Sequence, residues 1–441
     1  MCGAASLEIP GENPGSRRFG LGYTGPKHEG AAVTDLDSLD IISNETYARN
    51  GYPHEAWTRL RRESPVHWYE RGVKVPFWAI TKHEDIARLS RMPQRNLNAP
   101  RLAVFPEFAP PEEDERIARH LLNMDPPDHG EYRKLAAPHF TPRAIRRLEN
   151  EIERIAREAL DDLAPEGETD FVLSVAAPVP LAVLADLLGV PREDWKLMFR
   201  WTNAIVGSQD PEYRAAVDAR ESAGAARKAL FEYFWEMIQA RRARPTDDIV
   251  SILANAKLEG GGEVPPFELL SYCFLLVIAG NETTRNAMSG GLLALIENPD
   301  QLEKLRANPN LVDSAVEEIV RWTTPVIQFC RTATEDFELR GRKIRAGDSM
   351  CLFYPSANRD EDVFDEPFAF RVDRHPNRHL AFGIGEHFCL GANLARLELR
   401  VVFRQLAARL REIELTGPVE RLRSSFLGGV KHAPIRYRLA P

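Results

Sequence analysis

The stretch HLAFGIGEHFCLG, residues 379–391, is the most informative part of this 441-residue sequence. It places one cysteine, Cys389, among glycines, a histidine and aromatic residues, and the helix-like segment ANLARLELRVVFRQLAARL follows it directly. Glycines let backbone N–H groups approach a sulfur atom, and the N-terminus of a helix stabilises a neighbouring anion. The pattern therefore predicts a cysteine held as a desolvated thiolate that serves as a metal ligand.

The residues alone leave two other interpretations of this segment open. One is a buried structural cysteine beside a glycine-rich turn. The other is a zinc site, for which the segment offers nitrogen and sulfur ligands at His375, His379, His387 and Cys389. The segment lacks a second cysteine, which structural zinc sites commonly contain.

A long helix with an unusual centre is predicted for FELLSYCFLLVIAGNETTRNAMSGGLLALIEN, which follows Pro265-Pro266 and runs to Pro299. Its middle, from Ala279 to Thr284, places a glycine, an acid and two hydroxyls inside an apolar helix, against helix propensity. The small residues Ala279 and Gly280 are expected to let a flat ligand lie against the helix. Thr283 is expected to bond back to a carbonyl and open the turn, and Glu282 and Thr283 then form a proton relay.

The other segments predict a mainly α protein with a small β component. Apolar residues recur at helical spacing from Pro142 onward, as in PRAIRRLENEIERIAREALDDL, residues 142–163. The runs 66–69 and 77–81 predict a hairpin, and residues 337–355 predict further short strands. Residues 1–40 are rich in Gly and Pro and are interpreted as a flexible arm, with one domain over residues 41–441.

Composition excludes several functional classes. A net charge of −8 argues against a general nucleic-acid binder. The N-terminal residues contain no apolar run long enough for a signal peptide or membrane anchor, so a cytoplasmic location is expected. Five cysteines in so long a chain do not form a disulfide framework.

The residues from Phe382 to Gly391, Phe-Gly-x-Gly-x-His-x-Cys-x-Gly, resemble the haem-binding signature of the cytochrome P-450 family. The segment from Ala279 to Thr284 is similar to the family's oxygen-binding helix, and the resemblance extends from about residue 50 to the C-terminus. It implies a helical prism with a long central helix over a noncovalent haem b. It also implies that Cys389 is the axial ligand of the haem iron.

The resemblance assigns roles to further residues. His129, Arg133 and Arg331 match propionate ligands, His387 is placed to reach a propionate, and Phe382 and Gly383 line the haem beside the cysteine. Ala279 and Gly280 match haem-facing positions on the long helix. Glu318, Arg321 and Arg374 match a structural network that holds residues 379–391, the cysteine loop.

The implied activity is insertion of one oxygen atom from O2 into a C–H bond of a hydrophobic molecule. Terpenoid or steroid-like substrates are favoured, with fatty acid or alkane chains as the alternative. The expected pocket lining is apolar: residues 95–118, 192–225, 277–283, 325–329 and 426–427. A haem-binding or sensing protein without turnover is a second hypothesis, which the acid and alcohol at 282 and 283 argue against.

Electrons are expected from NAD(P)H through a separate ferredoxin reductase and an iron–sulfur ferredoxin, because the chain ends soon after the haem-binding region. A basic set on the cysteine side offers a docking surface for an acidic ferredoxin: Arg133, Lys134, Arg143, Arg146 and Arg147. The alternative interpretation is that these basic residues form a solvent-exposed helix face that binds no partner.

Overall fold

The computed structural model describes residues 35–106, 119–206, 210–216 and 223–440. Its α-helices are α1 Asn44–Asn50, α2 His54–Glu63, α3 His83–Ser90, α4 Asp128–Ala136, α5 Pro142–Arg146, α6 Glu149–Asp161, α7 Pro178–Leu188, α8 Trp195–Val206, α9 Pro211–Ala216, α10 Ala223–Ala243, α11 Ile249–Ala254, α12 Pro266–Glu297, α13 Pro299–Ala307, α14 Val312–Thr323, α15 Tyr354–Ala357 and α16 Ala392–Arg409. Its strands are β1 Val66–Tyr69, β2 Phe77–Ile80, β3 Asn96–Leu97, β4 Glu166–Asp170, β5 Gln328–Ala333, β6 Phe337–Leu339, β7 Arg342–Ile344, β8 Ser349–Phe353, β9 Leu410–Leu415, β10 Glu420–Arg421, β11 Val430–His432 and β12 Pro434–Leu439.

The strands form small sheets at the edge of a helical body. The largest has the order β1-β2-β8-β5-β3, with β2 and β8 parallel and the other pairs antiparallel. Its first pair is the predicted hairpin, in which Val66 lies opposite Ile80. A second antiparallel sheet has the order β4-β12-β9. The prediction of a mainly helical fold with a small β component is confirmed.

Helix α12 runs through the largest core and contacts α7, α10, α14 and α16. It begins at Pro266, where the missing N–H of proline costs nothing because the first turn has no intrahelical acceptor. It ends before Pro299, which begins α13. The predicted long helix is therefore confirmed, and it remains α-helical through its polar centre.

The segment 142–163, interpreted as one helical stretch, is divided into α5 and α6. Thr141 caps α5 by accepting a hydrogen bond from the N–H of Ala144. The chain then tightens, because the N–H groups of Arg147 and Leu148 bond three residues back instead of four. Apolar periodicity continues through this turn, which is why it gives no signal in the sequence.

Residues 325–329, which were expected to line the pocket and to form a strand, are only partly in β5, which begins at Gln328. The preceding residues pair with the C-terminal loop instead: the N–H of Ile327 donates to the carbonyl of Phe426, and Gly428 donates to Pro325. This places residues 325–327 and 426–428 side by side.

Most of the predicted N-terminal arm, residues 1–34, lies outside the described residues, as do residues 107–118 of the predicted pocket loop. The division at residue 40 stays a prediction. Leu36, in a short 3-10 turn over Asp35–Ser38, is buried against the five-stranded sheet. Within the described ranges, no helix combines the length and apolarity needed to cross a membrane.

Candidate active site

The cysteine loop is held in place by backbone contacts that require glycine. Gly383 and Gly385 adopt φ values of 68° and 80°, in the left-handed region that side chains disfavour. A Cβ on Gly385 would lie 2.5 Å from the carbonyl oxygen of Ser90, at the end of α3. The N–H of Cys389 donates to the carbonyl of Phe382 at 2.8 Å and closes the loop. Cys389 is thereby fixed just before α16.

Cys389 lies among many protein atoms, yet its side chain keeps an exposed surface. Burial raises the pKa of its thiol. Hydrogen bonds from the backbone of Gly391 and Ala392 and the charges of Arg133 and Arg396 act in the opposite direction. These donors are the groups that stabilise a thiolate once it is formed.

Two histidines meet beside the loop. The ring centroids of His129, on α4, and His387 lie 4.0 Å apart. Nδ1 of His129 contacts a carboxylate oxygen of Glu386 at 3.1 Å, and Nδ1 of His387 contacts the amide of Asn98 at 3.2 Å. Nε2 of each ring is buried and has no hydrogen-bond partner among the described residues. Burial and nearby positive charges lower the pKa of His387 to about 2.

Two guanidinium groups complete this cationic region. Arg133 donates to the carbonyl of Phe388, the residue before the cysteine, at 2.6 Å. Arg331, on β5, is 4% exposed and donates to the carbonyl of Cys330 at 2.8 Å. Both charges help to lower the pKa of His387, so the two guanidinium groups lie near the Nε2 atoms of His129 and His387 that have no partner among the described residues. The region suits a bound carboxylate.

The middle of α12 has one open side. Ala279 is exposed and Thr283 half-buried, one turn apart, although most of the helix is buried. Thr283 Oγ1 donates to the carbonyl of Ala279 at 2.7 Å, which is the predicted back-bond. A Cβ on Gly280 would lie 3.2 Å from Leu184 of α7, so its small size also serves helix packing. The predicted contact of Gly280 with the cofactor stays a prediction.

Glu282 points away from this open side into the core. It is fully buried and forms an ion pair with Arg285, one turn further along α12. Burial raises the pKa of Glu282, and the charge of Arg285 partly counteracts that rise. The two groups of the predicted relay, Glu282 and Thr283, therefore face different sides of the helix.

A sequence model of the family Cytochrome P450 matches residues 46–425. The chain belongs to this family. A steroid C26-monooxygenase of Mycolicibacterium smegmatis is 38% identical over 92% of this chain and 94% of its own length. A linalool 8-monooxygenase of Pseudomonas putida is 38% identical, over 90% of this chain and 97% of its own. Among solved structures, the Mycobacterium marinum cytochrome P450 CYP268A2 in complex with pseudoionone is similar with a TM-score of 0.84, 35% identity and coverage of 92% and 100%.

This cytochrome P450 is a monooxygenase, an oxidoreductase that incorporates oxygen and receives electrons from redox partners. The family binds haem, and the residues present fit that group. Cys389 offers a sulfur surrounded by N–H donors. The buried, unpartnered Nε2 atoms of His129 and His387 offer polar contacts for a carboxylate beside Arg133 and Arg331. Because the chain is a monooxygenase, the hypothesis of a haem-binding or sensing protein without turnover is wrong.

The P450 chain also brings together the predicted structural network. Arg321 contacts both oxygens of Glu318, at 2.7 and 2.8 Å, and Arg374 contacts them at 3.1 Å. All three side chains are buried. Burial would raise the pKa of Glu318, but its bonds to Arg321 and Arg374 hold it below the usual range. The network is therefore ionised at neutral pH.

The zinc alternative is not supported by the described residues. His375, His379, His387 and Cys389 do not converge on one point. His379 instead contacts Glu317 at 3.0 Å. The grouping of histidine and carboxylate ligands that the described part of the chain does contain is Glu212, Glu420 and His432, away from the cysteine loop.

Sequence reasoning missed three residues that shape this P450 site. Arg396, on α16, lies 4.5 Å from the centroid of the Phe382 ring and forms an ion pair with Glu317 at 2.6 Å. Arg285 is the partner of Glu282. The signal for Arg285 was available, since Glu282 and Arg285 have the spacing that singled out Glu318 and Arg321. Arg396 and Glu317 are distant in sequence and gave no comparable signal.

Proposed function

We propose that this P450 hydroxylates an apolar terpenoid or steroid-like molecule, using haem b and electrons from NAD(P)H. One oxygen atom of O2 enters a C–H bond and the other leaves as water, with two electrons and two protons consumed. The observation that carries the proposal is Cys389, which is exposed and lies beside the backbone N–H groups of Gly391 and Ala392 and the charges of Arg133 and Arg396.

Four side chains would hold the haem at its edge and one at its iron. The haem supplies the redox chemistry of oxygen activation when bound. Cys389 is the iron ligand, and the N–H groups that follow it tune its charge. His129, Arg133, Arg331 and His387 would bind the two propionates, which matches the unpartnered Nε2 atoms of both histidines.

Thr283 and Glu282 would manage protons on the α12 side. The hydroxyl of Thr283 lies on the open side of α12 and can donate there when it leaves the carbonyl of Ala279. Glu282 reaches a different side of the helix, so a proton must pass between them through a side-chain rotation or a water molecule. A buried acid with a raised pKa suits proton donation near neutral pH.

An aromatic wall supports the proposed substrate class. Phe426, in the C-terminal loop, lies between Phe105 and Phe329, at centroid distances of 5.4 and 5.6 Å. Phe105 is 38% exposed, which leaves an apolar face open. The relatives include a steroid C26-monooxygenase and a linalool 8-monooxygenase. An apolar wall of this kind holds a substrate mainly by shape.

A carbon monoxide spectrum tests the haem ligand. The reduced wild-type protein should show the long-wavelength Soret band of a thiolate-ligated haem, and Cys389→His should shift the band to the position of histidine-ligated pigments. Cys273→Ala, at a buried cysteine in α12, is the matched control and should keep the thiolate band. A histidine-type band in the wild type, or no pigment, would contradict the proposal.

A panel of terpenoids, steroids and fatty acids tests the substrate class. Binding should convert the ferric protein from low to high spin for terpenoids or steroids. A response confined to fatty acids would overturn that part of the proposal.

Turnover of the responding compound tests the proton residues. Thr283→Ala should consume NAD(P)H at a comparable rate but release most of the reducing equivalents as hydrogen peroxide. Full coupling in that variant would remove the role assigned to Thr283.

We further propose that an acidic iron–sulfur ferredoxin docks on the cysteine side. Arg143, Arg146 and Arg147 are exposed on and just after α5. Lys134 is partly neutralised by its ion pair with Glu259, so these three arginines carry most of the proposed attraction. Arg133, the remaining member of the basic set, bonds directly to the cysteine loop.

Charge reversal tests this surface. Arg143→Glu combined with Arg146→Glu should raise the KM for ferredoxin about tenfold or more at low salt and leave the carbon monoxide spectrum unchanged. Arg345→Glu, at an exposed arginine after β7, is the control. Equal effects of the two changes would contradict a specific docking surface.

A further inference from the structure

The buried side of α12 beside Thr283 carries more polar side chains than the proposed reaction uses. Asn281, Glu282, Arg285 and Asn286 are each no more than 2% exposed. Both side-chain polar atoms of each asparagine, Oε1 of Glu282 and Nε of Arg285 have no hydrogen-bond partner among the described residues. Such groups are costly in a protein interior. Their concentration around the acid calls for a functional explanation.

Arg285 is the residue that connects these groups to neighbouring helices. Its Nη2 bonds to Oε2 of Glu282, and its Nη1 lies 3.4 Å from Oδ1 of Asn203 on α8. Its guanidinium carbon lies 5.8 Å from the centroid of the Tyr213 ring on α9. Arg285 is therefore bonded to the acid on one side and held by α8 and α9 on the other.

The ion pair engages only one oxygen of the carboxyl group. Oε2 of Glu282 is bonded to Arg285, while Oε1 is buried and unpartnered. A carboxyl group fixed in this way can carry a proton on Oε1 without giving up its ion-pair contact. If Arg285 were absent, the group would be free to rotate and would lose the opposing charge.

We infer that Arg285 is a positioning residue for Glu282: it orients the carboxyl group and keeps Oε1 available for the proton, and Asn203 and Tyr213 hold Arg285 in place. This inference rests on the proposed role of Glu282 in proton delivery. Arg285 and Tyr213 are the charged or titratable groups of the described chain that act on Glu282.

Infrared difference spectroscopy of the ferric holoprotein tests this without turnover. The C=O stretch of protonated Glu282 is assigned by its loss in Glu282→Gln and followed against pH. In Arg285→Met the midpoint should move to higher pH by about 1 to 3 units, because an opposite charge that favours the ionised form has been removed. Arg285→Lys, which keeps the charge, is the matched control and should reverse most of the shift.

An unchanged midpoint in Arg285→Met would overturn the inference, as would a band that Glu282→Gln leaves in place. If Arg285→Met does not fold, Arg285→Gln removes the charge, keeps hydrogen-bond donors and gives the same test. Tyr213→Phe removes one contact to Arg285 and should broaden the band or shift its frequency. An identical band in that variant would show that Tyr213 does not hold Arg285 in place.

Coupling measurements separate this inference from the proposed function. Arg285→Met should lower the fraction of electrons recovered in product and move the pH profile of coupling upward, and Arg285→Lys should restore both. If Glu282→Gln leaves coupling unchanged while the infrared midpoint still depends on Arg285, the proton-delivery role fails and the electrostatic pair stands. If the midpoint is independent of Arg285 but Glu282→Gln uncouples turnover, the inference alone fails.

Discussion

Two Glu-x-x-Arg pairs with the same spacing lie buried in this P450, and they differ in how completely their atoms are bonded. Glu282 and Arg285 pair on α12, and Glu318 and Arg321 pair on α14. Glu282 has Arg285 as its hydrogen-bond partner, and its other oxygen has no partner within the described ranges. Both oxygens of Glu318 are bonded, to Arg321, Arg374 and further donors.

The difference extends to the arginines. Arg321 also donates to the carbonyls of Asn358, Pro367 and Ala369, so it ties α14 to the segment that precedes the cysteine loop. Besides Glu282, Arg285 contacts the amide of Asn203 at 3.4 Å and the ring of Tyr213, and its Nε has no partner among the described residues. A fully bonded ionic network is rigid, whereas an incompletely bonded one can change its protonation or orientation. The same sequence spacing thus serves a structural role in one helix and suits a chemical role in the other.

The largest expected effect is the loss of the complete network. Arg321→Met leaves an ionised Glu318 in the core and should lower the free energy of unfolding by about 3 to 5 kcal/mol, with loss of bound haem. Arg285→Met should cost less, about 1 to 3 kcal/mol, because Glu282 has a raised pKa and can take up a proton. Denaturant unfolding of both holoproteins measures the comparison. Equal losses would show that the bonding difference has no energetic consequence.

A smaller effect is expected when one donor of the network is removed. Arg374→Met should cost about 1 to 3 kcal/mol, because Arg321 still pairs with Glu318. Arg371→Met is the matched control in the same segment, since its side chain is half-exposed and contacts Glu366 at the surface. We expect the control to stay within about 0.5 kcal/mol of the wild type in thermal or denaturant unfolding. A control that loses as much as Arg374→Met would contradict the network's importance.

The smallest effect concerns Glu317, the neighbour of Glu318 on α14. Burial would raise the pKa of Glu317, but its bonds to Arg396 and His379 lower it to about 2. A depressed carboxyl pKa contributes stability above the ordinary value near 4.5, and that stability is lost as the pH falls toward 2. Glu317→Gln should therefore cost about 1.5 kcal/mol at pH 7 and less at pH 3. Unfolding free energies of both proteins at the two pH values measure it, and a constant difference would contradict the assignment.

The sequence predicted the helical fold, the central helix and the position of the cysteine loop because each depends on local patterns. Prolines bound α12, and the glycines at 383 and 385 occupy positions that only glycine accepts readily. The break between α5 and α6 was missed, since apolar spacing continues across it.

The parts of the site that depend on packing could not be predicted. Nothing local distinguishes the bonded Glu318 from the partly bonded Glu282, because the additional donors to Glu318, such as Arg374 and Asn377, come from distant segments. The packing of Gly280 against Leu184 of α7, where a Cβ would lie 3.2 Å away, also required the structure. The direction of Glu282 into the core also required the structure, since a proton relay had been predicted from adjacency along the chain.

The placement of Phe426 between Phe105 and Phe329 has a consequence for how product selectivity can change. The backbone of Phe426 is bonded to Ile327, so the ring and the start of β5 share one anchor. A substitution at 426 would reposition two rings that lie more than two hundred residues apart in the chain. In the proposed substrate site the three rings act together, so variants selected for a new product should carry compensating changes at these positions together.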